Sequence, residues 1–366
     1  MLRRALLTLH QWVGLAAGVF LIVISVSGSA LVFENEIDRA LNASTSFVTP
    51  GSQRLPIETM VARVLAAYPR DQVTGVRIAD KPDQAYELSL RSRQSAMVNP
   101  YTGDVLGLRD HEKSFARWVH LMHTRFVAGE IGEKMVGGFS VAMLGLALTG
   151  LVLWWPRQIL SIGPASSWKR TNFDLHNVLG FYSSLVMLFI TLSGVLIAFE
   201  ATLDPLVRRL NPETPAATAP QSTPLADRRR ISIDEAIAIA ERALPGAVAS
   251  NIGLPAGPAG VFRIFKKFPE DRTPAGRSRV LIDQFSGAVL QVENTRSAPL
   301  GTRILNLKRS AHTGDIFGAP TQALYFIVSL GIALQAMTGA LIWWNGRRQP
   351  GQQRSPREPR SHREAE

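Results

Sequence analysis

The sequence contains no cysteine. This excludes thiolate-held iron–sulfur clusters, haem attachment through a Cys-x-x-Cys-His motif, and disulfides. It also has no Gly-x-Gly-x-x-Gly after a strand-like run, no Walker loop and no Ser/His/Asp set, so no nicotinamide, nucleotide or hydrolytic site stands out. Charge is scarce in four blocks, 12–33, 136–155, 182–199 and 323–344. Each is near the ~20 apolar residues that cross a bilayer as a helix. The first block follows Arg3 and Arg4 and ends on Ser27-Gly28-Ser29-Ala30, as a signal peptide would. Its apolar core exceeds the ~7–15 residues of a signal peptide, and it has an internal copy, so it reads as a retained helix.

Hydrophobic residues make up 46% of the chain, and the net charge is +11. The basic residues do not form a nucleic-acid patch; they flank the apolar blocks. Arg3 and Arg4 precede the first, Arg157, Lys169 and Arg170 lie between the second and third, and Arg347 and Arg348 follow the fourth. The positive-inside rule then puts both termini and the middle loop in the cytoplasm of a bacterial cell and both long inter-block regions in the periplasm.

The chain repeats itself. Leu9-His10-Gln11-Trp12-Val13-Gly14 recurs as Leu175-His176-Asn177-Val178-Leu179-Gly180, and Gly28/Gly194, Glu34/Glu200 and Asp38/Asp204 keep the same offset of 166. At an offset of 189, His123-Thr124 pairs with His312-Thr313, Thr149-Gly150 with Thr338-Gly339, and Trp154-Trp155 with Trp343-Trp344. The fold class expected is an α-helical membrane protein of four transmembrane helices with two α+β extracytoplasmic modules, made by internal duplication. Its segments are a first transmembrane helix (1–35), a first module (36–112), a surface helix with the second transmembrane helix (113–156), and a cytoplasmic loop (157–172). The third transmembrane helix (173–202), a linker (203–230), a second module (231–300), a short segment with the fourth helix (301–345) and a disordered basic cytoplasmic tail (346–366) complete it.

Within the first module, 55–67 has helical apolar spacing. Strand-like runs follow at 73–78, 85–90, 96–98 and 105–108, with a turn at Asn99-Pro100-Tyr101-Thr102-Gly103-Asp104. In the second, Ser232 is an N-cap with an acid three residues on, 236–244 continues the helix, and strands are expected at 261–265 and 280–282. The turn Asp283-Gln284-Phe285-Ser286-Gly287-Ala288 matches the first at an offset of 184.

Asp234-Glu235-Ala236 and Phe285-Ser286-Gly287 resemble PepSY domains. The Leu9-His10, Leu175-His176, His123-Thr124 and His312-Thr313-Gly314 blocks, with Thr-Gly before paired tryptophans, resemble the PepSY-associated transmembrane helix family. The resemblance spans nearly the whole chain except the tail. It implies an inner-membrane protein linked to iron uptake, of the kind that includes b-haem ferric-siderophore reductases.

His10 and His176 stand at one edge of the bundle, and His123 and His312 lead into the second and fourth spans from the other. A lone histidine at a membrane edge is ordinarily an interfacial polar residue. Four at matching depths are functional candidates, and neutral imidazole is an axial ligand for haem iron. Two bis-histidine sites are expected, His10 with His176 and His123 with His312, holding two b-type haems. Gly14 and Gly180, one turn from the inner histidines, would leave room for a macrocycle. By depth, Gly150 and Gly339 belong beside His10 and His176, and Gly28 and Gly194 beside His123 and His312; the same small residues would also let spans pack closely. A straight helix would leave His123 ~20 Å beyond its span. Gly129 and Gly132, and Gly314, Gly318 and Pro320, are therefore expected to fold the preceding segments back.

His120 is an alternative ligand, a substrate neighbour or a plain surface residue. Glu34, Glu200, Asp38 and Asp204 at helix C-termini oppose the dipole. They would pair with arginines such as Arg125 or Arg303, attract ferric cations, or simply stand at a solvated edge. The tryptophan pairs fit an interfacial belt. His111 and His362 carry no assigned role. The functional expectation is electron transfer from a cytoplasmic or membrane donor to a periplasmic ferric chelate. The alternatives are a PepSY-based binding or regulatory protein for a peptide, protease or metal chelate, and, more weakly, a transporter.

Overall fold

A computed structural model of the chain describes residues 1–163, 167–211, 220–224 and 229–347. Much of the expected linker and nearly all of the expected tail, with His362 and Arg348, lie outside the described residues.

The elements run α1 (Leu2–Val32), α2 (Glu34–Leu41), α3 (Ala43–Ser46), α4 (Ile57–Ala67), β1 (Val73–Arg77), β2 (Tyr86–Leu90), β3 (Ser95–Val98) and β4 (Val105–Arg109). Then come α5 (Phe115–Arg125), α6 (Gly129–Trp154), α7 (Trp168–Ala198), α8 (Glu200–Arg208) and α9 (Ile233–Ala243). Last are β5 (Val248–Gly253), β6 (Val261–Lys267), β7 (Ser278–Asp283), β8 (Val289–Glu293), α10 (Leu300–Thr313) and α11 (Ala319–Arg347).

Four of the described helices, α1, α6, α7 and α11, are long and apolar enough to cross a membrane. They form one bundle whose outward face is apolar: Val19, Tyr182, Leu185 and Ile327 are all more than half exposed. Such a surface is stable against lipid tails and not against water. The interior holds small hydroxyl residues, Ser25, Ser27, Ser29, Thr191, Ser193 and Thr338. All six turn the hydroxyl back onto a carbonyl three or four residues earlier, which pairs each of them in an apolar surround.

Each half adds a helix and a four-stranded antiparallel meander. The two meanders are joined edge to edge. β1 pairs with β5 (Gly75↔Gly253, Val76↔Ile252, Arg77↔Asn251), giving one eight-stranded sheet in the order β4-β3-β2-β1-β5-β6-β7-β8. The alternation along each strand sends Val76, Leu88, Val98, Ile252, Ile264, Val280 and Ile282 to one face, where α4 and α9 cover them. β5, the joining strand, and β8 were not anticipated from the sequence. The two helices also cap each other. Asp234 of α9 accepts from the backbone N–H of Ile57 (2.9 Å) and Glu58 (3.0 Å), and Glu58 accepts from Ile233 N–H at 2.8 Å.

The expected acids at helix C-termini need correction. α1 ends at Val32, and Phe33 (φ −110°, ψ 28°) breaks the helix, so Glu34 opens α2; Glu200 opens α8 in the same way. Both acids therefore favour the dipole. Their partners differ from those expected. Asp38 meets Arg109 at 2.9 Å, and Lys308 bridges Asp204 (2.8 Å) and Glu200 (3.1 Å), whereas Arg125 pairs with Glu133.

Candidate functional site

α5 and α10 are helices that fold back into the bundle. α5 ends in left-handed backbone at Phe126 (φ 46°) and Val127 (φ 58°), then Gly129 (φ 59°) starts α6. The reversal thus uses two non-glycine residues beside the expected glycine. α10 reverses at Gly314 (φ 83°) and Gly318 (φ 70°). These hairpins carry His123 to the carbonyl of Ile24 (2.8 Å) and His312 to that of Ile190 (2.9 Å). Ile24 and Ile190 each lie eight residues from the end of their span, roughly 12 Å into it.

A carbonyl only accepts, so in both residues Nδ1 carries the proton and Nε2 keeps its lone pair. Ser27 Oγ and Ser193 Oγ, at 3.4 and 3.3 Å, add second acceptors, since each donates its own proton to a backbone carbonyl. The rings of His123 and His312 face each other with centroids 6.0 Å apart. They come that close to α1 and α7 because Gly28 and Gly194 have no side chain. A Cβ on Gly28 would lie 2.8 Å from His123 Cε1, and one on Gly194 3.1 Å from His312 Cε1.

At the other end, His10 Nδ1 lies 2.9 Å from Thr149 Oγ1, and His176 Nδ1 3.0 Å from Thr338 Oγ1. Thr149 donates its proton to Gly145 O (2.7 Å) and Thr338 donates to Leu334 O (2.9 Å). Both hydroxyls therefore accept from Nδ1–H, and again Nε2 is left with its lone pair. Gly150 and Gly339 lie against His10 Cε1 and His176 Cε1 at Cβ distances of 3.4 and 3.3 Å. The four glycines thus make room for imidazole rings rather than directly for a macrocycle. Gly14 and Gly180 border the cavity beyond, with Gly180 against Gln335 Nε2, which itself donates to His176 O at 2.9 Å.

His10 and His176 line one cavity of about 720 Å³ between α1, α6, α7 and α11. Trp154 stacks on Phe181 at 3.9 Å in its wall. Fourteen residues, roughly 21 Å, separate His10 from Ile24 along α1. Between the two pairs the bundle is apolar: Ala17, Leu21, Met143, Ala147, Met187, Val328 and Ile332 cluster there.

The sequence brings the four histidines together by offset. It leaves unread the tautomer-fixing role of Thr149 and Thr338, which in the sequence are only the small neighbours of glycines, and it gives no sign of Gln335. Among the other candidates, His120 on α5 is half-buried, near Glu34 and Arg309, and burial pushes its pKa down; its place is beside the His123 pair, not in it. Glu34 has no ion-pair partner among the described residues, and Glu200 is occupied by Lys308. Among the described residues no three His, Asp or Glu side chains converge as a metal site would require; the histidines come in twos.

Four apolar helices and an antiparallel sheet outside them define a multi-helix membrane protein with an extramembrane α+β region. The chain belongs to the family of the PepSY-associated TM region, whose model matches residues 7–346. Comparison with curated proteins gives no match.

Proposed function

We propose that the chain is a b-type haem electron-transfer protein of the bacterial inner membrane, reducing a periplasmic ferric chelate with electrons from a cytoplasmic or membrane donor. The observation that carries this reading is the tautomer lock. Each of four histidines sets its Nδ1 against a backbone carbonyl or against a threonine hydroxyl that gives its own proton to a carbonyl, and so presents a bare Nε2. Acceptors placed behind the ring in this way orient and activate metal-bound imidazoles. Two imidazoles are too few for a bare ion but are what a metal already held in a planar macrocycle lacks. The His123 and His312 rings stand with centroids 6.0 Å apart, so both would hold one group bound between α5 and α10.

His10 with His176 and His123 with His312 would hold the two haems, which when bound supply one-electron transfer. The protein's part is to fix both imidazole pairs, to keep water from the layer between them, and to set them closer than the ~30 Å hydrocarbon thickness. The equal helix lengths of α1 and α7 and the reciprocal joining of the two meanders support internal duplication with two PepSY-like modules. Arg3, Arg157, Lys169, Arg170 and Arg347 all lie at the end remote from the sheet, which supports cytoplasmic termini and periplasmic modules.

Absorption spectra of the purified protein, oxidised and dithionite-reduced, test the reading. A sharp low-spin b-type α-band is expected. His10→Ala or His176→Ala should remove about half the haem, and His123→Ala or His312→Ala the other half. Protein grown with ample haem yet containing none would sink the redox reading in favour of a PepSY-based binding protein.

A further inference from the structure

The cavity holding His10 and His176 has a feature that histidine ligation does not require. Its lining is apolar apart from a few polar groups, and among the described residues no Asp or Glu lines it, yet Arg3, Arg157 and Arg347 do. None of the three has an acidic partner among the described residues. Two of them, Arg157 and Arg347, are held by aromatic rings instead. The Arg347 guanidinium lies 4.2 Å from the Trp343 ring centroid and 5.8 Å from that of Trp12, and Arg157 lies 5.7 Å from that of Phe173. A ring face fixes the guanidinium plane while leaving its N–H edge free for a bidentate oxyanion. Three like charges converging on one apolar opening repel one another unless an anion joins them. Arg3 stands seven residues before His10 and Arg347 eight after Gly339, so the arginines lie roughly 10–12 Å along the axis from the histidine level, at the mouth.

We infer that Arg3, Arg157 and Arg347 bind the carboxylates of the ligand in this cavity. Resting on the haem reading above, the ligand is a dicarboxylate tetrapyrrole with its acid edge toward the mouth remote from the sheet. Aromatic walls such as Trp154 and Phe181 take the flat apolar body, and the arginines decide which way round it enters. The same charge could also be met by anionic lipid head groups, so the test separates the two sources.

Full-length protein in nanodiscs of zwitterionic lipid is titrated with haem and with haem dimethyl ester. Uptake is followed by the low-spin absorbance and by tryptophan quenching, in the binding phase that His10→Ala removes. Wild type should prefer the free acid by roughly tenfold for each charge-assisted hydrogen bond that the ester cannot make. The Arg3→Gln/Arg157→Gln/Arg347→Gln variant should bind acid and ester alike and keep the low-spin spectrum, because its histidines are intact. Equal wild-type affinity for acid and ester, with the low-spin spectrum formed, overturns the carboxylate assignment and leaves the haem reading standing. A wild type that gives no low-spin spectrum with either ligand overturns both. If the preference for the free acid vanishes when the nanodisc lipid is anionic, the arginines belong to lipid head groups and the inference falls.

Discussion

In residues 2–154 the two histidine nitrogens lie 2.9 and 2.8 Å from their acceptors; in residues 168–347 they lie 3.0 and 2.9 Å from theirs. The sheet treats its two halves otherwise. Arg77 stands opposite Glu87 on β1 and β2, where the second half has Gly253 opposite Arg263 on β5 and β6. Asp38 is held by an arginine and Asp204 by a lysine. The difference follows from where each group sits. Inside the bundle an unpaired polar group is costly, so one arrangement is kept in both halves. At the sheet, the mostly exposed Arg77 adds little through its ion pair, and the second half does without one at the matching place.

The sharpest way to break the likeness inside the bundle is to fill the space under one ring. Gly28→Ala would set a Cβ 2.8 Å from His123, too close for any real contact, whereas Gly194→Ala, at 3.1 Å, asks His312 to yield by a few tenths of an ångström. Moving His123 off Ile24 O forfeits a buried hydrogen bond, about 1–3 kcal/mol. Gly28→Ala should therefore lower the melting temperature in detergent and empty the site nearer the sheet. Gly194→Ala should do so less, and Gly150→Ala and Gly339→Ala, at 3.4 and 3.3 Å, least. Equal effects at all four glycines would mean that ring contact does not limit them.

The caps give a smaller contrast across the joint. Asp234 serves two amides of α4, while Glu58 serves one of α9, which also has its own cap in Ser232. Asp234→Ala should cost about 1–2 kcal/mol and Glu58→Ala less than half of that. Hydrogen exchange should rise first in Ile57–Ala67 for the former and stay near wild type in Ile233–Ala243 for the latter. The reverse order would show that the caps do not carry the joint.

Much of the bundle is legible in the sequence because long apolar runs and a fixed offset survive translation into three dimensions. His10, His176, His123 and His312 pair on sequence alone, and the need for a reversal before α6 follows from counting residues. Which groups accept from the histidines is not legible, because a backbone carbonyl such as that of Ile24 leaves no mark on the sequence. β5 escapes a sequence reading because Val248–Gly253 carries Asn251 and Gly253, poor strand formers in isolation, and it is its pairing with β1 that makes it a strand. Arg3, Arg157 and Arg347 signal only topology in the sequence, since their convergence on one cavity depends on α1, the turn after α6, and α11, which come from distant parts of the chain.

The smallest contrast is one of pH, and it is confined to the first half. Burial would raise the pKa of Glu87, but the His111 hydrogen bond at 2.8 Å, the charge of Arg77 and the Ser95 hydroxyl together hold it down to about 2, from an ordinary 4.5. The same hydrogen bond raises His111 above its ordinary 6.5 against the opposing effect of burial. The signs are opposite. Glu87, with its folded pKa depressed, contributes stability that is present above about 4.5 and lost as pH falls toward 2. His111, with its folded pKa raised, contributes stability that is full below 6.5 and lost as pH rises through the folded value. The pair therefore supports β2 best between about pH 4.5 and 6.5, while at the matching place on β6 Arg263 stands opposite Gly253, with no carboxylate across from it. Hydrogen exchange in Tyr86–Leu90 should quicken between pH 6 and pH 9 beyond the intrinsic rate increase, with no such excess in Val261–Lys267. In Glu87→Gln the His111 imidazole, followed by NMR, should titrate at or below its ordinary value, because burial then acts without the carboxylate. An unchanged His111 titration in that variant would show that the carboxylate is not what holds the proton.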